Sequence, residues 1–210
     1  MSPYHTVSHR LLYENCGATN VPGGFCSAEL AIMEELDELT EHAKAIGAVN
    51  TIVPVRRTGS EAVERLIGDN TDWLAIHDVT SRWLYLLGKD EAITALVIGA
   101  GGSARAACYA MHRLGAGTIW LFNRTRANAV LLAQELPRDW NVVVTESLDR
   151  PLEPKPNVIV SNVPADGTSI DMGSGAGVFL PPSILANAAG GVAIDMSCEW
   201  SILLSAQYSV

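Results

Sequence analysis

The chain has 210 residues, 48% of them hydrophobic and 18% charged, with a formal net charge of −9. That is length enough for a real core and the composition of a folded protein, so long disorder is excluded. An acidic surface attracts neither nucleic acid nor an anionic membrane, which excludes both as main partners.

The apolar stretches are strand-sized, the first residues (MSPYHTVSHR) lack the apolar core of a signal peptide, and no membrane span is expected. Cys16, Cys26, Cys108 and Cys198 form no CxxC pair, so reduced thiols and a cytoplasmic setting are expected. His5 and His9 stand at i,i+4 spacing, but no Glu follows the first and no third ligand is in view. No metal is expected there.

In chain order, residues 29–45 carry Leu30, Met33, Leu36 and Leu39 at helical spacing with an acidic opposite face. This predicts one helix with a solvated side, ended by Gly47. Residues 48–55 (AVNTIVPV) read as a strand paired with 65–68 through the polar RRTGSE segment, a hairpin. From Thr71 the spacing is helical again, with Thr71 or Asn70 as cap and Gly88 as stop. This helix should join a small N-terminal region to a larger C-terminal one.

Residues 95–98 form an uninterrupted apolar run, as in a parallel strand buried on both faces, and it stops at Gly99. Gly99 and Gly101 can adopt the angles of a tight turn, with Ala100 between them, and Gly101 has no Cβ to obstruct a pyrophosphate. Gly102, Ser103 and Ala104 let the next helix, expected over 103–114, pack close to the sheet with its N-terminus aimed at phosphates. Ala106, Ala107, Ala110, Met111 and Leu114 share its apolar face. A second strand, 118–122, ends in Asn123, Arg124 and Thr125 rather than the acid that would accept from a ribose 2′-OH. A carboxylate there would repel a 2′-phosphate; the Arg124 guanidinium can pair with it, and Asn123 and Thr125 can add hydrogen bonds. The cofactor implied is NADP, held on an acidic protein by local charge such as Arg124 and Arg105. The plainer alternative is a dinucleotide-type unit kept for its packing.

A helix over 126–136 and strands at 141–144, 157–161 and 192–196 continue the alternation, which makes an open parallel sheet. Residues 166–177 (DGTSIDMGSGAG) read as a loop.

GAVNTI (47–52), GDNTDW (68–73), GAGGSARAA (99–107), NRT (123–125), SNVPA (161–165) and IDM (194–196) stand in the order and spacing of the shikimate dehydrogenase family. The chain most resembles the dehydrogenase domains of fungal pentafunctional AROM polypeptides over about residues 29–196. The resemblance implies an α/β protein: a Rossmann-type doubly wound parallel sheet (79–210) with a truncated α/β substrate-binding domain (1–78). It further implies NADP-dependent reduction of 3-dehydroshikimate to shikimate in aromatic amino acid biosynthesis, with other domains of a multifunctional polypeptide as partners. By match, Ser2, Asn50 and Asp72 would hold the substrate, Asp72 would belong to the catalytic pair, and Asn162 would join the residues of the glycine turn at the cofactor. Read without the family, Asn50 is a turn residue and Asp72 a first-turn acid favoured by the helix dipole.

Two departures bear on activity. Where the family places a catalytic lysine before the LAIM segment, this chain has Glu29, and a carboxylate beside a developing alkoxide raises the barrier. The segment from Ser2 to His5 matches the family's shikimate-binding segment with a residue missing, and the closing helix that supplies a glutamine is not found. An impaired enzyme is therefore expected, and the second reading is a non-catalytic NADP- or shikimate-binding module similar to fungal quinate repressors.

Overall fold

The computed structural model describes residues 4–8, 32–58, 63–88, 92–163, 180–185 and 190–196. Two sheets organise them. The smaller has three strands in the order β2-β4-β3, with β2 at Glu38–Leu39, β3 at Thr51–Arg56 and β4 at Val63–Asp69. β3 and β4 form the expected antiparallel hairpin, pairing Thr51 with Asp69 and Ile52 with Gly68.

The single helix expected over 29–45 is not formed across its described part. Residues Ile32–Glu35 make a 3-10 turn, β2 comes next, and only Glu41–Ile46 is α-helical (α1). Pairing with β4 overrides the helical spacing: Asp37 N donates to Leu66 O (3.1 Å), Leu66 N to Asp37 Oδ2 (2.7 Å), and Thr40 N to Gly68 O (2.9 Å). The leucines that suggested a helical stripe cover Gly68 instead. A Cβ on Gly68 would lie 2.5 Å from Leu36 Cδ1 and 2.8 Å from Leu39 Cδ2, so the strand admits no larger residue there. The acids of this segment do face solvent, with Glu34, Asp37, Glu38 and Glu41 exposed.

α2, Asp72–Leu86, runs as read from the sequence and ends before Gly88, whose φ of 62° stops the helix. Thr71 stands at the cap position but makes no side-chain cap bond; Asn70 Oδ1 accepts from Asp72 N (3.1 Å) in its place. The boundary expected at 78/79 falls within this helix.

The larger sheet has six parallel strands in the order β1-β9-β8-β5-β6-β7: Tyr4–Ser8, Gly191–Asp195, Val158–Ser161, Thr94–Ile98, Thr118–Phe122 and Val142–Val144. β1 has no counterpart among the strands expected from the sequence; it adds to the edge beside β9. Two-sided burial follows the period-two rule: Ala95 and Val97 enter one core with α2 and α3 (Gly102–Arg113), while Leu96 and Ile98 enter another with Leu148, Leu152, Leu180 and Ile184. α4 (Arg126–Glu135) follows β6, and a four-residue α5 (Pro182–Leu185) precedes β9.

α3 is buried on more than the one face read from the sequence. Gly102, Ala104 and all of Ala106, Ala107, Cys108, Tyr109, Ala110 and Met111 are buried, because the sheet covers one side and α1 and α2 pack on the other. Burial pushes the Cys108 thiol from its ordinary 9.0 up to about 12, with Arg105 pulling weakly downward. No helix among the described residues is long and apolar enough to cross a membrane.

Candidate functional site

From β5 outward the strand order reverses: the chain goes from β5 to β6 and β7 on one side, then returns to β8 and β9 on the other. Ligands of open α/β sheets bind at such a reversal, beyond the carboxyl ends of the strands. Gly99 follows β5 at this place and Asn162 follows β8. Gly99 has φ 113°, a conformation that side chains avoid, and a Cβ on it would lie 3.2 Å from both Asn162 Cβ and Asn162 O. The contact is held by Asn162 N donating to Ile98 O (2.8 Å) and Asn162 Nδ2 to Ile98 O (3.2 Å). Asn162 Oδ1 is buried and has no hydrogen-bond partner among the described residues.

Gly99 N also donates to Phe122 O (2.8 Å), which draws the end of β6, and with it Asn123, Arg124 and Thr125, to the glycine turn. Asn123 Nδ2 is spent on Thr125 O (2.9 Å), closing that loop. Arg124 and Thr125 are exposed, and Thr125 caps α4 without a side-chain bond. Gly101 has an ordinary extended backbone (φ −96°, ψ −166°) and caps α3, whose first turn carries no acid. Ala100, Gly101 and Ser103 are half-buried, Gly102 and Ala104 buried. Arg105, read as a charge for the phosphates, is engaged elsewhere: its guanidinium pairs with Glu135 and lies against Gly47.

These features fit a dinucleotide: a glycine turn at the strand reversal, a helix N-terminus free of acid, and an orphaned acceptor on Asn162.

A second polar turn joins β4 to α2. Asn50 Oδ1 accepts from Thr71 N (2.9 Å) and from Thr51 Oγ1 (2.9 Å), and Asn50 N donates to Asp69 O (3.0 Å). Asn70 Nδ2 donates to Ala48 O (3.2 Å). Thr40 Oγ1 donates to Asp69 Oδ1 (2.5 Å), which also accepts from Asn70 N (2.8 Å). Asp72 opens α2 and is 7% exposed. Thus Asn50, just before β3, is tied to the turn that Asp72 closes, with Asn70, expected only as a cap, and Asp69, not predicted, as supports; the GDN triplet before Thr71 was the signal for them. Among the described residues no acceptor meets Asn50 Nδ2. Ser2 and Glu29 lie outside the described residues, as do His9 and residues 166–177. Among the described residues no group of three His, Cys, Asp or Glu could hold a metal.

A doubly wound parallel sheet with a glycine turn at its reversal defines the class: a Rossmann-type α/β protein. The chain is 51% identical over 174 residues to a pentafunctional AROM polypeptide of Mycosarcoma maydis and 54% identical over 171 residues to that of Malassezia globosa, in each case over 80% of this chain and 10% of the relative. It therefore spans about a tenth of the length of these polypeptides. Among solved structures, the dehydroquinate dehydratase and shikimate dehydrogenase portion of the S. pombe polypeptide matches at TM-score 0.60 and 36% identity, covering 89% of this chain and 34% of that one. Shikimate 5-dehydrogenase of Thermus thermophilus, solved with NADP(H) and shikimate, matches at TM-score 0.55 and 27% identity, covering 80% of this chain and 55% of that one. No protein-family profile matches the chain. The chain belongs to the shikimate dehydrogenase family.

Proposed function

We propose that this protein binds NADP at the strand reversal and uses it on the pair 3-dehydroshikimate and shikimate, with turnover lowered by Glu29. The observation that carries the reading is the locking of Gly99 between Asn162 and Phe122, which gathers the glycine turn, the orphaned Asn162 acceptor and the Asn123 to Thr125 loop at one edge. The cofactor, when bound, supplies a hydride to a ketone carbon.

The protein's own residues do the rest. Arg124 pairs with the 2′-phosphate, and backbone N–H groups at the start of α3 receive the pyrophosphate. Asn50, its Oδ1 already fixed by Thr71 and Thr51, donates from Nδ2 to a ring hydroxyl of the substrate. Asp72 accepts from a neighbouring hydroxyl and belongs to the acid–base pair that handles the alcohol proton. Where a lysine would stabilise the developing alkoxide, Glu29 opposes it, and losing such a group costs about 10²–10⁴-fold in rate.

Turnover followed by NADPH absorbance with 3-dehydroshikimate tests the reading. Slow turnover that Glu29→Lys raises supports it; no turnover in either protein removes the enzyme reading. Glu29 also favours a second reading, a binding module without chemistry, which predicts saturable NADPH binding and no turnover in either form.

A further inference from the structure

Arg105, Tyr109 and Arg113 stand at i, i+4 and i+8 on α3 and so form one ridge, about 12 Å long by helical rise. None of the three was needed for the cofactor turn, and all three point to the small sheet and its helices. The Arg105 guanidinium lies over Gly47, where a Cβ would be 3.2 Å from Nη1, and it is held by Glu135 of α4. Gly47 is the left-handed cap of α1 (φ 71°), three residues before Asn50.

The buried Tyr109 hydroxyl is 3.0 Å from His42 Nδ1 of α1 and accepts from Arg113 Nη1 at 3.0 Å. Arg113 can only donate, and the phenol can pair with His42 Nδ1 either as donor or as acceptor, according to the imidazole tautomer. Trp73, the residue after Asp72, completes the contact. Its ring lies edge-on to Tyr109 at 5.2 Å, tilted over His42 at 4.6 Å, and beneath the Arg113 guanidinium at 5.7 Å. The far side of Tyr109 rests on Trp140, 5.4 Å away.

We infer that this ridge is a positioning device: α3 starts at the glycine turn and, through Arg105, Tyr109 and Arg113, holds both chain segments that carry Asn50 and Asp72. One rigid helix thereby fixes the spacing between the cofactor turn and the substrate turn. The inference rests on the reading above for its functional meaning, since hydride transfer tolerates little misplacement. The ridge itself is a packing fact independent of that reading.

The test uses the full chain with Tyr109→Phe, which keeps the ring and removes the hydroxyl, and His42→Asn, whose side-chain amide takes the place of Nδ1 and still pairs with the hydroxyl. Amide hydrogen exchange in Tyr109→Phe should rise about tenfold across residues 41–47 and 69–73 and stay unchanged in β5. Shikimate affinity in the presence of NADPH should fall about tenfold while NADPH affinity alone holds within about twofold, with His42→Asn near wild type on both. Unaltered exchange, a uniform rise over the whole protein, or equal losses for both ligands would overturn the inference. If the wild-type chain takes up neither ligand, the functional reading falls, and the exchange pattern alone decides whether the ridge holds the substrate turn.

Discussion

The two turns at the heart of this protein are built by opposite means. The glycine turn, proposed for the cofactor, is a backbone object: Gly99 takes an angle that other residues avoid, and main-chain bonds from Gly99 N to Phe122 O and from Asn162 N to Ile98 O fix it. The polar turn, proposed for the substrate, is a side-chain object, in which Asn50, Asp69 and Asn70 each close bonds across the chain, Asn50 reaching Thr71 over 21 positions. A turn made of backbone survives changes of side chain but not of conformation; a turn made of side chains does the reverse.

That contrast can be broken at four places. Gly99→Val should be the most damaging, because it adds about 1–3 kcal/mol of backbone strain and meets Asn162. NADPH affinity, read by fluorescence titration, should fall by at least about 100-fold. Asn50→Ala leaves Thr71 N without its acceptor, and chemical denaturation should register a loss of about 1–3 kcal/mol. NADPH affinity in Asn50→Ala should stay at the wild-type value; a parallel loss would show that the two turns are not separately built. Arg124→Ser should leave the unfolding free energy within about 0.5 kcal/mol of wild type and remove most of the preference for NADPH over NADH, about tenfold.

The smallest effect at neutral pH should come from the titration of Cys108 on α3, the helix that the glycine turn opens. Its folded value lies above the unfolded one, so the protonated thiol contributes stability that is complete below about pH 9 and lost as pH rises toward about 12. Denaturation midpoints in Cys108→Ala should lack that component of the alkaline decline; an identical decline would assign it to other groups.

The backbone turn was the more legible of the two. Uninterrupted apolar runs at β5 and β8, and glycine directly after β5, are properties of local sequence, and they led to strands and helix within a residue or two of those observed. The segment at residues 32–46 misled because Leu36 and Leu39 are spaced for a helix yet are used to cover Gly68, a partner about thirty positions away that local periodicity does not report. The hold of Arg105 on Gly47 and Glu135 was hidden for the same reason: an arginine beside a glycine-rich turn reads as a phosphate ligand until the helix that occupies it is in place. Asn50 and Asp72 were found through the family resemblance, since alone they read as a turn residue and a helix-start acid.

Cofactor choice is the property on which the proposed chemistry most directly depends. Parallel titrations of the wild-type chain with NADPH and NADH should give an affinity at least about tenfold greater for NADPH, from the charge pairing of Arg124 with the 2′-phosphate. Equal or tighter uptake of NADH, or uptake of neither, would contradict it.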